Sequence, residues 1–71
     1  MEFKDRLRDL RLARSLKQEA MADLLAIKLR AYQNYEYGTS FPNFKNLIFL
    51  ADYFDVSLDY LVGRSDIRER R

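Results

Sequence analysis

Apolar residues recur along this chain every three to four positions, the spacing of amphipathic helices and not of strands. Phe3, Leu7 and Leu10 form one stripe and predict a first helix over about Glu2 to Arg14. On that reading Lys4, Arg6, Arg8 and Asp9 face water and Leu12 is half exposed. Met21, Ala22 and Leu25 mark a second helix from Gln18 to Leu25. Ala26-Ile27 interrupts the pattern, and Tyr32 and Tyr35 resume it on a third helix, about Lys28 to Tyr37. Two short helices that break this sharply must cross, and Ala22 and Ala26 are small enough to lie where the backbones meet. A fourth helix, about Asn43 to Phe54, turns Phe44, Leu47, Ile48, Leu50, Ala51 and Phe54 inward. A fifth, Leu58 to about Val62, completes the core with Val56, Leu58 and Leu61. The prediction is an all-α, compact five-helix bundle.

The residues between these stripes supply the stops. Ser15 ends the first helix where Gly or Asn sits more easily, because the residue after a helix often turns left-handed. Gly38 closes the third helix, and Thr39-Ser40-Phe41-Pro42 is a loop. Ser57 caps the fifth helix, Asp59 supports its start, and Gly63 stops it. Ser65 to Arg71 is charged and expected to fray, which places the domain at 1–64 and a tail at 65–71.

Composition narrows the chemistry. Seventy-one residues make one domain, close to the size at which a core alone suffices, and 48% hydrophobic residues can build that core. With no Cys and no His, disulfides are excluded and an ordinary zinc site nearly so. No apolar run approaches the roughly 18 residues of a membrane span, and no signal-peptide pattern opens the chain. There is no Gly-rich phosphate loop and no nucleophile–base pair, so an enzyme is not expected, nor a metal, cofactor or small-molecule ligand. Net charge is only +2, but it is unevenly spread. Residues 1–30 hold eight Lys/Arg against five Asp/Glu, whereas residues 31–63 hold Lys45 against Glu36, Asp52, Asp55 and Asp59. Such a field orients the N-terminal half toward phosphates, although charged helix surfaces are also ordinary.

The third helix carries the most chemistry. At about 100° per residue, Tyr32 and Tyr35 point one way; Arg30, Gln33 and Tyr37 cluster opposite, with Leu29 and Asn34 at the edges. That outer face holds no acid and is rich in residues that read base edges. Arg grips guanine through O6 and N7, Gln or Asn grips adenine through N6 and N7, and Leu29 suits a thymine methyl. Lys28, at the helix start, would lie near the backbone or a base. Taken alone, the same face is equally a solvated polar surface.

The run Leu16-Lys17-Gln18-Glu19-Ala20-Met21-Ala22, then Tyr32-Gln33-Asn34-Tyr35-Glu36-Tyr37-Gly38, resembles the helix-turn-helix of the Cro/cI-type (XRE-like) DNA-binding proteins. The resemblance continues through Pro42, Leu47, Leu50-Ala51 and Phe54-Asp55-Val56-Ser57-Leu58-Asp59-Tyr60-Leu61, and covers about residues 3 to 64. It implies a lambda-repressor-like domain that binds double-stranded DNA by sequence and regulates transcription, with repression as its output and helix 3 in the major groove. On that pattern Lys28, Leu29, Arg30, Gln33 and Asn34 read bases, while Lys17, Gln18, Tyr37, Thr39, Ser40, Asn43 and Lys45 hold the backbone. It also implies a buried ion pair between Arg11 and Glu36, a homodimer on a palindrome with half-sites roughly 34 Å apart, and a cytoplasmic, nucleoid-associated protein of a bacterium or phage.

Three positions depart from the pattern. Ala26 stands where the turn usually has Gly, and a left-handed residue there costs about 1–2 kcal/mol. Lys28 replaces the usual oxygen-bearing cap of helix 3. Tyr32 replaces a smaller aliphatic, so its hydroxyl must reach the surface or a partner. Phe49 and Tyr53 point away from the expected core and are candidates for a dimer surface, or simply exposed rings. The alternative function is a protein-binding module that keeps this fold without binding DNA.

Overall fold

The computed structural model describes residues 1–69, and its five helices are α1 Phe3–Ala13, α2 Gln18–Leu25, α3 Leu29–Tyr37, α4 Phe44–Phe54 and α5 Leu58–Leu61. No strand occurs among the described residues. The fold is therefore all-α, with each helix within a residue or so of the range that the periodicity predicts. α2 packs on α3, α1 on α3 and α5, and α4 on α5. Phe3, Leu7, Leu10, Met21, Ala22, Leu25, Tyr32, Tyr35, Leu50, Ala51, Phe54, Val56 and Leu61 are buried together in one core.

Helix ends set the path of the chain, and three of them use the same device. Ser15, Ala26 and Asp55 adopt φ of 55°, 55° and 54°, left-handed conformations taken without glycine. Each is followed by an apolar residue whose N–H reaches back to a carbonyl five positions earlier: Leu16 to Arg11 (3.2 Å), Ile27 to Ala22 (3.0 Å) and Val56 to Ala51 (3.0 Å). These are Schellman closures, which satisfy helix carbonyls that would otherwise lack a partner. The three apolar residues turn onto the core, Val56 fully and Leu16 and Ile27 in part. Hydrophobic burial after the turn offsets the left-handed strain before it. At the other ends, Asn43 and Ser57 accept from the backbone N–H of Asn46 (2.8 Å) and Tyr60 (3.0 Å), capping α4 and α5.

α1 and α3 are joined by a buried polar cluster around Glu36. Arg11 Nε donates to Glu36 Oε2 at 2.6 Å and Arg11 Nη2 to Oε1 at 3.0 Å, a bidentate pair. Arg11 Nη1 also donates to the carbonyl of Leu16 at 2.8 Å. The Tyr32 hydroxyl, one turn before Glu36 on α3, donates to Oε2. Gln18 Nε2 at the start of α2 donates to Oε1 at 3.2 Å. Burial works to raise the Glu36 carboxyl, but the hydrogen bonds from Arg11, Tyr32 and Gln18 outweigh it and hold the group below its ordinary range. Burial pushes the Tyr32 phenol well above its ordinary value, and its hydrogen bond to Glu36 adds to the effect.

Three expectations from the periodicity are corrected. Arg6, expected in water, is 4% exposed. It lies three residues after Phe3 and four before Leu10, inside the inward arc, where its guanidinium stacks 3.7 Å over the Tyr60 ring and Nη2 lies 3.4 Å from Asp66. A planar, weakly hydrated guanidinium can lie flat on an aromatic ring, so its charge did not decide its side. Phe44 and Ile48, expected inside, are 73% and 38% exposed. The face that α4 buries is the narrower arc of Leu50, Ala51 and Phe54, with Leu47 half-buried beside it. The start of α5 meets the C-terminal segment at two backbone carbonyls. Ser57 N–H donates to the Arg68 carbonyl at 2.8 Å and Ser57 Oγ to that of Ile67 at 3.0 Å. Arg70 and Arg71, the rest of that tail, lie outside the described residues.

This architecture sets four outcomes. Arg11→Leu leaves Glu36 charged and buried, and should cost about 3–5 kcal/mol in urea unfolding. Arg11→Leu with Glu36→Leu should cost clearly less than the sum of the single changes. Ala26→Gly should raise stability by about 1 kcal/mol in the same assay, because the residue already sits left-handed. Because the folded Glu36 carboxyl lies below its ordinary value of 4.5, the stability it contributes is complete above that pH. That stability drains away as the pH falls through the ordinary value and then through the folded one. Thermal melts from pH 7 to pH 3 should therefore fall more steeply for the wild-type protein than for Glu36→Gln, which starts lower.

Candidate nucleic-acid interface

The turn Ala26-Ile27-Lys28 sets α3 across α2, and α3 buries one side only. Tyr32, Tyr35 and Glu36 are buried against the body, whereas Lys28, Leu29, Arg30 and Tyr37 are exposed and Gln33 and Asn34 half-buried. The two tyrosine rings meet edge to face, 6.2 Å between centroids, on the buried side of the helix. Lys28, Leu29, Arg30, Gln33, Asn34 and Tyr37 thus share one outer arc, and no carboxylate interrupts it.

A shallow cleft joins this arc to the start of α2, lined by Arg11, Lys17, Gln18, Glu19, Leu29 and Gln33. Lys17 and Gln18 therefore stand beside Leu29 and Gln33, with Glu19 the one acid on the rim. Gln18 is engaged from both sides. Its amide nitrogen donates to Glu36, and its Oε1 accepts from Gln33 Nε2 at 3.2 Å. A continuous chain of polar contacts then runs Arg11, Glu36, Gln18, Gln33, from the buried pair to the outer face. The family resemblance implies a phosphate contact for Gln18, and the folded chain adds this bridge. The i, i+4 spacing of Tyr32 and Glu36 was the signal available for the neighbouring contact.

The second group sits at the end of α3 and the start of α4. Gly38 adopts φ of 84° and closes α3. The Asn34 carbonyl collects the N–H groups of Gly38 and Thr39, each at 3.0 Å, and the Thr39 hydroxyl at 3.3 Å. Asn43 uses its side-chain oxygen to cap α4. Ser40 is half-buried and Lys45 is exposed in the first turn of α4. The first turns of α3 and α4 contain no acid, whereas those of α1, α2 and α5 contain Asp5, Glu19 and Asp59. The cap of α3, Lys28, supplies no side-chain acceptor, which leaves the helix N–H groups directed outward.

Phe49 and Tyr53 stack on the far side of α4, 6.1 Å apart and 16° from parallel. Tyr53 is half-buried, with the Arg14 guanidinium 5.1 Å above its ring and Phe54 5.1 Å away edge-on. Among the described residues no helix is long and apolar enough to cross a membrane, and no cluster of three or more His, Cys, Asp or Glu side chains could hold a metal ion.

Known proteins are similar to this chain in sequence and in fold. A helix-turn-helix family model matches residues 7–61. Over 64 residues the chain is 41% identical to the cryptic phage CTXphi transcriptional repressor RstR of Vibrio cholerae serotype O1, covering 90% of this chain and 57% of that protein. Over 60 residues it is 43% identical to the uncharacterized transcriptional regulator YqaE of Bacillus subtilis, covering 84% of this chain and 52% of the other. The crystal structure of a transcriptional regulator from Listeria innocua superposes with a TM-score of 0.84 at 37% identity, covering 87% of this chain and 58% of that one. The chain spans about half the length of the curated relatives it matches. With the family model covering most of its length and the α2–α3 pair in register, the chain belongs to the helix-turn-helix family, of the Cro/cI-type (XRE-like) kind.

Proposed function

We propose that this domain binds double-stranded DNA in a sequence-specific manner and regulates transcription, with repression as its output. The observation that carries the reading is the outer face of α3. Arg30, Gln33 and Asn34 project from a helix whose opposite side is locked to the body by Tyr32, Tyr35 and Glu36. A rigid helix with an acid-free outer face is what the major groove admits. Repression is favoured by the likeness to RstR, which is named a repressor.

In this reading α3 lies in the major groove. Arg30 reads guanine, Gln33 and Asn34 read adenine, Leu29 meets a thymine methyl, and Lys28 lies at the groove edge. Gln33 enters with its amide already oriented by Gln18, so less side-chain freedom is lost on binding. Lys17 and Gln18 at the start of α2, with Tyr37, Thr39, Ser40 and Asn43 around the α3–α4 loop, approach phosphates on either side. One helix reads only a few base pairs, so the functional species is a homodimer on a palindrome, half-sites roughly 34 Å apart or a multiple of that.

Selection of bound sequences from a random duplex library at about 100 mM salt tests this directly. The wild-type protein should enrich a palindrome, and Gln33→Ala should relax preference at one or two positions in each half. Arg30→Ala should weaken binding to the selected site by about 1–3 kcal/mol. Lys17→Ala should weaken all duplexes alike and flatten the salt dependence. If no sequence is enriched and retention does not respond to salt, the DNA reading is wrong, and a protein-binding module takes its place.

A further inference from the structure

Between Arg30 and Lys45 the chain carries no Lys or Arg, and the buried Glu36 is the one charged residue in that span. Yet the span includes the end of α3 and the α3–α4 loop, where the proposed function places phosphate contacts by Tyr37, Thr39, Ser40 and Asn43. Hydroxyls and amides can donate to a phosphate, but they do not neutralise it. The missing charge comes from another helix. A Cβ built on Gly38 would stand 2.9 Å from Lys4 Cδ and 3.8 Å from Lys4 Nζ. The Lys4 stem, leaving the first turn of α1, thus passes over Gly38 and ends its ammonium beside the loop, with the side chain 40% exposed. The loop is tied to the same turn of α1 a second time, by the Phe3 and Phe41 rings 6.0 Å apart. Glu2 is the acid beside Lys4, 3.9 Å away and itself 79% exposed, a solvated pair that a phosphate can displace.

We infer that Lys4 is a phosphate contact of this domain, the cation of the α3–α4 loop delivered from α1. Gly38 is then glycine to let that stem pass as well as to close the helix. Closing α3 at φ of 84° does not by itself demand glycine, because Asn also takes left-handed conformations. Asn cannot leave the Lys4 stem where it is, since its Cβ would press on Cδ. A stem packed on backbone is held in place, so its ammonium loses less freedom on meeting a phosphate than that of a free surface lysine. The same position suits the carbonyl end of α3, which has no base in its last turn. That contribution is to stability alone, whereas a phosphate contact is read in the salt dependence of DNA binding.

The inference rests on the proposed DNA binding, and titrations with two duplexes test it, the selected site and one of unrelated sequence, across about 50 to 200 mM salt. Lys4→Ala should weaken both duplexes alike, roughly fivefold to tenfold near 100 mM, and make the slope of log K against log salt shallower by about 0.9. Lys4→Arg should keep the wild-type slope. Arg68→Ala removes the same charge from the C-terminal segment beside Tyr60 and should leave the slope unchanged. Gly38→Asn should resemble Lys4→Ala, and adding it to Lys4→Ala should cost less than about twofold more. Full additivity of those two overturns the role given to Gly38. A wild-type slope in Lys4→Ala overturns the inference, and a lowered melting temperature beside it leaves Lys4 to the α3 dipole alone. An equal change for Arg68→Ala also overturns it, because net charge then accounts for the effect. If the wild-type protein binds both duplexes equally and Lys4→Ala still makes the slope shallower, base reading by α3 fails and the Lys4 contact stands. If the selected duplex is preferred and the slope is unmoved, the contact fails and base reading stands. Retention of neither duplex overturns both.

Discussion

Glu36 is a carboxylate in the last turn of a helix, at the end where the backbone dipole is already negative, and it is buried. Left alone there, it would take up a proton or unfold the helix. Four hydrogen bonds prevent that, two from Arg11 and one each from Tyr32 and Gln18, which fill the acceptor capacity of the group. Because those donors come from α1, α2 and α3, a single ionised group ties together the three helices that form the N-terminal half. Its value is less in net stability than in geometry. Apolar packing of Tyr32 and Tyr35 tolerates small rotations of α3, whereas a bidentate pair does not. The orientation of the outer face of α3 is thus decided on its inner face.

The same economy of means governs the turns. In a domain this small, three left-handed residues that are not glycine amount to a sizeable strain. Each is tolerated because the next residue is apolar and turns inward, so the turn and the core are one feature read from two adjacent positions. Glycine would relax the backbone, but the freedom it returns to the unfolded chain offsets part of that gain. The turn between α2 and α3 is a case of this general device in which a functional helix happens to follow.

Much of this was legible in the sequence, for a definite reason. Helix positions follow from the spacing of Leu, Met, Tyr and Phe, the stop at Gly38 and the start at Ser57 follow from backbone and capping chemistry, and the break at Ala26 follows from the interrupted spacing. Both are local properties. What failed to show were properties of the assembled body. Arg6 sits on the inward arc by spacing alone, yet only the arrival of Tyr60 and Asp66 from the far end of the chain gives it a place to lie. Phe44 and Ile48 follow the helical period but extend past the edge of the bundle, which periodicity cannot locate. Gln18 is of a residue type that fits phosphate and amide partners equally well. Only the crossing of α2 and α3 brings Gln33 within reach of it.

The distribution of acids ties the fold back to the proposed function. An Asp or Glu in the first turn of a helix stabilises it by about 0.3–1 kcal/mol, and α1, α2 and α5 each use one. α3 and α4 forgo it, although both could have gained, and α3 lacks a side-chain cap as well. For a helix that only packs, that omission is a loss with no return. In the proposed function it has a reason: an acid in the first turn of either helix would repel a phosphate, and the uncapped start of α3 leaves its N–H groups free of a competing side chain. The small net charge of +2 conceals this arrangement, because it sums the acid-free starts of α3 and α4 with carboxylates that lie elsewhere on the body. On a domain of this size, where each charge stands bears on recognition more than the total does.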